Sequence, residues 1–382
     1  MIFLFLSVLI IVGGSMIWTY GILRWFGLRP PPQATTPLVT VLVAGRNEEI
    51  HIERCLASLT SQSYLIDNTE IIYIDDHSSD RTLPLAEEFA AKYPVRVKVL
   101  SAPDCPTGIG PKKNALRYGI EQAKGEILAF IDADCVARPG WISALVREYD
   151  DETGCVAGAV LPEKRPTLLG KLLWLERLFI SYTTASAMGC GFPASASGGS
   201  FSYRKQLYNQ LGGLAFSQVP SGDDDLMAQA IARTGWKVKF ARGRDCITED
   251  LRSPDRRRYL NAAIRHQSTT RYYALRWRLI YIYSIFANIA FVALWVLAAI
   301  RPELLFTALA TTALKWLLEG VSVKLFCRKL ETGLSFIEFF LAETVLPVYI
   351  LIRPLFATIP GFSWQNRTHR SSTISPDSGR QS

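Results

Sequence analysis

The stretch AFIDADC, residues 129–135, passes from apolar to acidic within three positions and sets Asp132 and Asp134 one residue apart. In a strand or its immediate extension, residues i and i+2 face one side, so the two carboxylates converge while Ala133 points away. Oxygen donors at that spacing suit a divalent cation. Asp75 and Asp76 close the apolar run EIIYIDD, and Ser78, Ser79 and Asp80 follow them as turn and helix-cap types. Two adjacent acids at a strand end point to ligand contact. In GDDDL, Asp223, Asp224 and Asp225 precede the helical pattern LMAQAIARTG. The helix dipole favours an acid there, but one would be enough for a cap.

The elements that must hold these acids alternate. Strand-like runs at LVTVLVAG, EIIYIDD, VRVKVLSA and EILAFIDAD are separated by helical patterns over 48–61, 83–92 and 112–124. Such alternation predicts a parallel sheet with right-handed crossovers. Ligands of these sheets sit at the carboxyl ends of strands, where the acids fall. The first strand ends in AGRNE, which puts Arg46, Asn47 and Glu48 at the turn. Neither GxGxxG after the first strand nor GxxxxGK[ST] occurs in the sequence, which removes the dinucleotide and P-loop readings.

The flanks are of another kind. The chain of 382 residues has room for about two to three domains, and its 49% hydrophobic content is high for a wholly soluble enzyme. Residues 1–23 carry no charge, and a bilayer core needs about 20 apolar residues. No basic segment precedes them, and Arg24 and Arg29 follow, which predicts an uncleaved anchor with that end in the cytoplasm. Residues 279–300 are again uncharged. Residues 304–326 contain Lys315 and Glu319, spaced to pair on one helical face. Residues 334–359, with Glu338, Glu343, Arg353, Pro347 and Pro354, read as a re-entrant or interfacial piece.

Much of the net charge of +8 gathers in the arginines of residues 252–278, a membrane-surface pattern with no nucleic-acid recognition module around it. Seven cysteines without a CxxC pair and four scattered histidines argue against a disulfide framework or a zinc site. The segment LGKLLWLERLFISY fits either an amphipathic helix on the membrane surface or ordinary core packing. The expected organisation is a transmembrane anchor at 1–24, an α/β domain at 38–250, a basic interfacial region at 251–278, membrane segments at 279–359 and a disordered tail at 360–382.

Five segments in order, VAGRNEE, IIYIDDHSSDRT, PKKNALRYGIEQAKGEILAFIDADC, GGSFSYRKQLYNQLGG and SGDDDLMAQAIARTGWKV, resemble the family 2 glycosyltransferases over roughly residues 38–250. The flanks resemble those of its membrane-bound members. The resemblance implies an α/β GT-A nucleotide-sugar-binding fold, a mostly parallel sheet with flanking helices, joined to N-terminal and C-terminal transmembrane helices. It also implies a nucleotide-sugar donor, a divalent cation (Mg2+ or Mn2+) and an inverting single displacement.

On that resemblance, Ala44, Arg46 and Glu48 match the donor-site turn, and Asp76 the acid that recognises the nucleobase, with Asp75 beside it. Lys112 matches the basic residue at the helix start, and Asp132 and Asp134 the metal-binding pair, with Asp132 also on the donor side. A general base must take the acceptor proton. Counting from Gly222 assigns Asp224, and counting back from Leu226 assigns Asp223. Gly198, Gly199 and Arg204 fall in the loop between donor and acceptor subsites, where small residues admit a sugar.

The processive members' QxxRW motif is eroded. NAAIRHQ keeps only Arg265, suited to the donor diphosphate, and puts His266 where the acceptor-gripping tryptophan would stand. The expected activity is transfer of one sugar, UDP-activated by family frequency, to a lipid or lipid-linked acceptor at the cytoplasmic face of the cell membrane. A processive polysaccharide synthase and a catalytically silent membrane scaffold are the alternatives.

Overall fold

The computed structural model describes residues 2–28, 36–106, 109–193, 195–216, 222–252 and 272–352, with Leu355, 362–364 and 367–369. Strand β1 (Val39–Gly45) is buried along almost its whole length because both faces of its sheet are covered. It pairs in parallel with β2 (Thr69–Asp75) on one side and β4 (Ile127–Phe130) on the other, and β3 (Val97–Ser101) adds in parallel to β2. Beyond β4 the sheet continues through β8 (Phe201–Arg204), antiparallel, then β6 (Thr153–Ala157) and β9 (Lys237–Phe240), in the order β3-β2-β1-β4-β8-β6-β9. A smaller sheet orders β5 (Cys135–Ala137), β10 (Ile247–Asp250) and β7 (Ala159–Pro162).

The crossovers α2 (Ile52–Thr60), α3 (Thr82–Lys92) and α4 (Pro111–Gln122) stand where the periodicity predicts helices. Helix α2 starts four residues late, because Glu48 belongs to a turn: its N–H donates to Thr82 Oγ1 (2.7 Å) and its carboxylate meets His51 Nδ1 (2.8 Å). Strand β4 ends at Phe130, so Asp132 and Asp134 stand on the turn into β5 rather than on a strand extension. Shorter helices α5 (Trp141–Val146), α7 (Lys205–Gln210) and α8 (Asp225–Arg233) complete this part.

Among the described residues, three helices are long and apolar enough to cross a membrane: α1 (Ile2–Gly27), α9 (Leu275–Ile300) and α10 (Leu305–Lys329). Two of them end on the same loop of the α/β part. Trp25 Nε1 donates to Phe240 O (2.8 Å), and Gly243 N donates to Lys329 O (3.1 Å). Helix α6 (Leu168–Gly189) decides between its two readings in favour of core packing: Trp174, Leu175, Leu178 and Tyr182 are buried. It also lies hard against α1, where a Cβ on Gly21 would stand 2.2 Å from Ser186 O and one on Gly189 would stand 2.0 Å from Gly21 O.

Helix α11 (Phe336–Ile352) opens with a capping box: Ser335 N donates to Glu338 Oε2 (2.9 Å) and Glu338 N to Ser335 Oγ (3.2 Å). Lys164 pairs with Glu338 at its start (2.8 Å), and Tyr349 in its last turns donates to Glu176 of α6 (2.7 Å). Both ends of α11 thus hold on to the α/β part. Lys315 pairs with Glu319 (2.7 Å) as their spacing predicts, and with Glu343 of α11 as well. In the segment expected to lack order, β11 (Phe362–Trp364) pairs antiparallel with β12 (Arg367–His369).

Candidate active site

The acids gather at the carboxyl ends of β1, β2 and β4, in the turns that follow. The loops after β1 and β2 are laced together. Asn47 N donates to Ser78 Oγ (3.0 Å), Ser79 N to Asn47 Oδ1 (2.8 Å), and Arg46 Nη1 to Asp76 O (3.2 Å). Asn47 and His77 both take positive φ, at 53° and 56°, strained backbone of the kind that collects at ligand sites. Ala44 is half-buried at the end of β1. Asp80 accepts from Thr82 N (3.0 Å), which is its cap role.

The adjacent acids separate in role. Asp75 turns inward, where its carboxylate accepts from Ser78 N (2.9 Å) and Tyr73 OH (3.3 Å). It holds the turn that follows β2, and Asp76 beside it is buried as well.

Lys112, at the start of α4, centres the next group. Its Nζ lies 2.8 Å from Asp132 Oδ1 and 3.3 Å from Asp223 Oδ2. Burial works against its charge, but Asp132, Asp223 and Asp224 outweigh burial and hold the ammonium above its ordinary range. Asp224, the N-cap of α8, accepts from Gly198 N with Oδ2 and from Asp225 N with Oδ1, both at 2.7 Å. Asp224 is thus the N-cap, and Asp225 in the first turn also takes a helix-start donor, Leu226 N (2.7 Å). Burial, with the Asp225 and Asp223 charges added, pushes the Asp224 carboxyl up to about 8 despite Lys112.

Gly198 stands at the middle of this group. A Cβ there would meet Lys112 Nζ at 3.1 Å, Asp224 Oδ2 at 3.5 Å and Asp132 Oδ1 at 3.7 Å, so the missing side chain keeps the space between the acids open. Gly199 faces elsewhere: its Cβ would meet Val160 and Cys135, which makes it a packing residue and corrects its expected acceptor role. Arg204 is also corrected. Because β8 runs antiparallel to β4, Arg204 lies opposite Ile127 at the far end of the sheet. Its guanidinium donates to Thr153 O (2.9 Å) and Asp150 O (2.7 Å) there. Arg265 and His266 lie outside the described residues.

One partner escaped the sequence reading. Arg252, at the end of β10, donates from Nε to Asp250 Oδ1 (2.8 Å) and stands 3.2 Å from Asp134 Oδ2. The available signal was its place just after a strand, masked by the many arginines that follow. Burial pushes Asp134 up to about 6, with Arg252 opposing. Ligand atoms of Asp132, Asp134 and Cys135 all lie within 4.8 Å of one another. The two carboxylates fit a hard divalent cation, and the buried Cys135, its thiol pushed up by burial, is a poor third ligand for one.

A parallel sheet with acids at its carboxyl ends, extended by an antiparallel strand and a second small sheet, defines the GT-A class, and the mannosyltransferase PcManGT from Pyrobaculum calidifontis shares this fold. That structure, in complex with GDP-Man and Mn2+, superposes at a TM-score of 0.57 and 18% identity, covering 93% of this chain and 95% of that one. Residues 40–212 match Glycosyl transferase family 2, which makes that part of the chain a family 2 glycosyltransferase domain.

The chain is 41% identical over 121 residues to EpsH of Bacillus subtilis, which is 32% of this chain and 33% of EpsH. It is 37% identical over 102 residues to the beta-monoglucosyldiacylglycerol synthase of Trichormus variabilis (27% and 21%), and 26% identical over 236 residues to the poly-beta-1,6-N-acetyl-D-glucosamine synthase of Staphylococcus epidermidis (59% and 53%). It thus spans about half or less of the length of the curated relatives it matches.

Proposed function

We propose that the chain is a membrane-bound inverting glycosyltransferase that moves one sugar from a nucleotide-sugar donor to a lipid or lipid-linked acceptor at the cytoplasmic face of the cell membrane. The observation that carries this reading is the ring of Lys112, Asp132, Asp223 and Asp224 around the open backbone of Gly198, on a domain clamped to helices α1, α6 and α10. The catalytic domain is residues 38–250, and the similarity to a diacylglycerol glycosyltransferase supports a lipid acceptor.

Asp76, with Arg46 behind it, reads the nucleobase, and Lys112 meets the diphosphate. Asp132 and Asp134 would hold Mg2+ or Mn2+, which offsets the charge that builds on a departing nucleoside diphosphate. Asp224 takes the acceptor proton. Its raised proton affinity suits a base, and two backbone N–H donors fix its direction. Asp223, held to Lys112, is the second choice for that role. In this reading helix α11, tied by Glu338 to Lys164 and by Tyr349 to α6, is a re-entrant or interfacial piece, which leaves the tail on the catalytic side.

The test is incubation of membranes carrying the full chain with a panel of labelled nucleotide sugars, followed by lipid extraction. One sugar per extracted lipid supports the reading. A ladder or high polymer indicates a processive synthase, and no incorporation from any donor indicates a silent scaffold.

A further inference from the structure

The geometry points to Tyr273, at the foot of membrane helix α9, as a positioning residue for Asp224, carrying the seat of that helix into the active site. This rests on Asp224 being the base. Tyr273 stands two residues before α9 and is buried with Leu226 and Trp277. Its hydroxyl donates to Asp225 Oδ2, while Asp225 Oδ1 accepts from Leu226 N (2.7 Å). Both oxygens of Asp225 are thereby held, and the N–H of that same residue holds Asp224 Oδ1.

The other donor to Asp224 also leads back to α9. The loop between α6 and β8 carries Gly198, and at its near end Phe192 meets Trp277 edge to face, with ring centroids 5.6 Å apart. The foot of α9 therefore touches both arms that grip Asp224. Facing that carboxylate are Lys112 and Lys113 from α4, Asp132 from the turn after β4, and its neighbours Asp223 and Asp225. Three acids against two lysines around it leave its direction and proton affinity dependent on where Asp225 points. Without the phenol, Asp225 Oδ2 loses the donor that Tyr273 supplies, and the hold on the direction of its charge beside Asp224 weakens.

Tyr273→Phe keeps the ring and removes only the hydroxyl. With purified full chain and saturating acceptor, kcat is expected to fall about tenfold, the scale of one lost hydrogen bond to a buried charge. The donor KM stays unchanged and the acid limb of the pH profile moves upward. Since Tyr273 acts through Asp225, adding Tyr273→Phe to Asp225→Asn should cause no further loss. Wild-type kcat and pH profile in Tyr273→Phe, or losses that add in the double variant, would overturn the inference. Asp224→Asn separates the two levels. If it is inactive while Tyr273→Phe is normal, only this inference fails; if it keeps turnover, the assignment of the base fails first.

Discussion

At two places among the described residues a lysine stands between carboxylates, half-buried in one and buried in the other, and the two clusters are built to opposite ends. In the α/β domain, Lys112 lies between Asp132 and Asp223 beside a glycine that leaves the centre open. Between the long apolar helices, Lys315 lies between Glu319 and Glu343, Ser15 donates to Glu319 (2.5 Å), and the Phe291 ring stands 5.4 Å from the ammonium. The first cluster joins loops around the end of the sheet; the second joins α1, α10 and α11, whose packing buries its charges away from water. Breaking a sealed ion pair costs stability because the partner is stranded. Altering an open one costs chemistry if, as proposed, its charges face the substrates.

The largest expected effect is at the open cluster. Asp224→Asn should lower kcat by about 10²–10⁴, the range of a lost general base, with unfolding temperature near wild type. Asp223→Asn measured alongside identifies the base: the smaller loss excludes that residue. Next comes the closed cluster. Lys315→Met strands two glutamates and should destabilise the protein by about 3–5 kcal/mol, read as denaturant unfolding in detergent, with turnover per folded molecule unchanged. If Lys315→Met instead abolished turnover in folded protein, the contrast would break.

Gly198→Ala should cost a smaller amount, about tenfold in kcat, because the methyl enters the gap while the 3.1 Å approach to a flexible lysine end lets the fold persist. The smallest effect is on pH dependence. Asp224 must be unprotonated to act, and its carboxyl is pushed up to about 8, so kcat/KM should rise with pH through that region. A base with an ordinary carboxylate value would give a flat profile from pH 6 upward.

The parts of this comparison differed in how far the chain alone revealed them. Asp132 and Asp134 were legible because an apolar strand ending in two alternate acids has few other uses, although a turn and not the strand brings them together. Lys315 and Glu319 were legible from helical spacing, but Glu343 was not, since only the packing of α11 brings it there. The contact of Gly198 with Asp224 spans 26 residues and depends on a loop meeting a helix start, which periodicity does not encode. Arg204 misled because nearness in sequence to Gly198 ignores the antiparallel direction of β8, which carries it to the other end of the sheet.

The most direct measurement is nucleoside diphosphate release from a labelled nucleotide sugar by the purified full chain, titrated with Mn2+, for wild type and for Asp132→Asn with Asp134→Asn. Saturable, cation-dependent release in wild type and its loss in the folded double variant is the predicted result. Equal release from both proteins, or release indifferent to added cation and to chelator, would contradict the assignment of those two carboxylates.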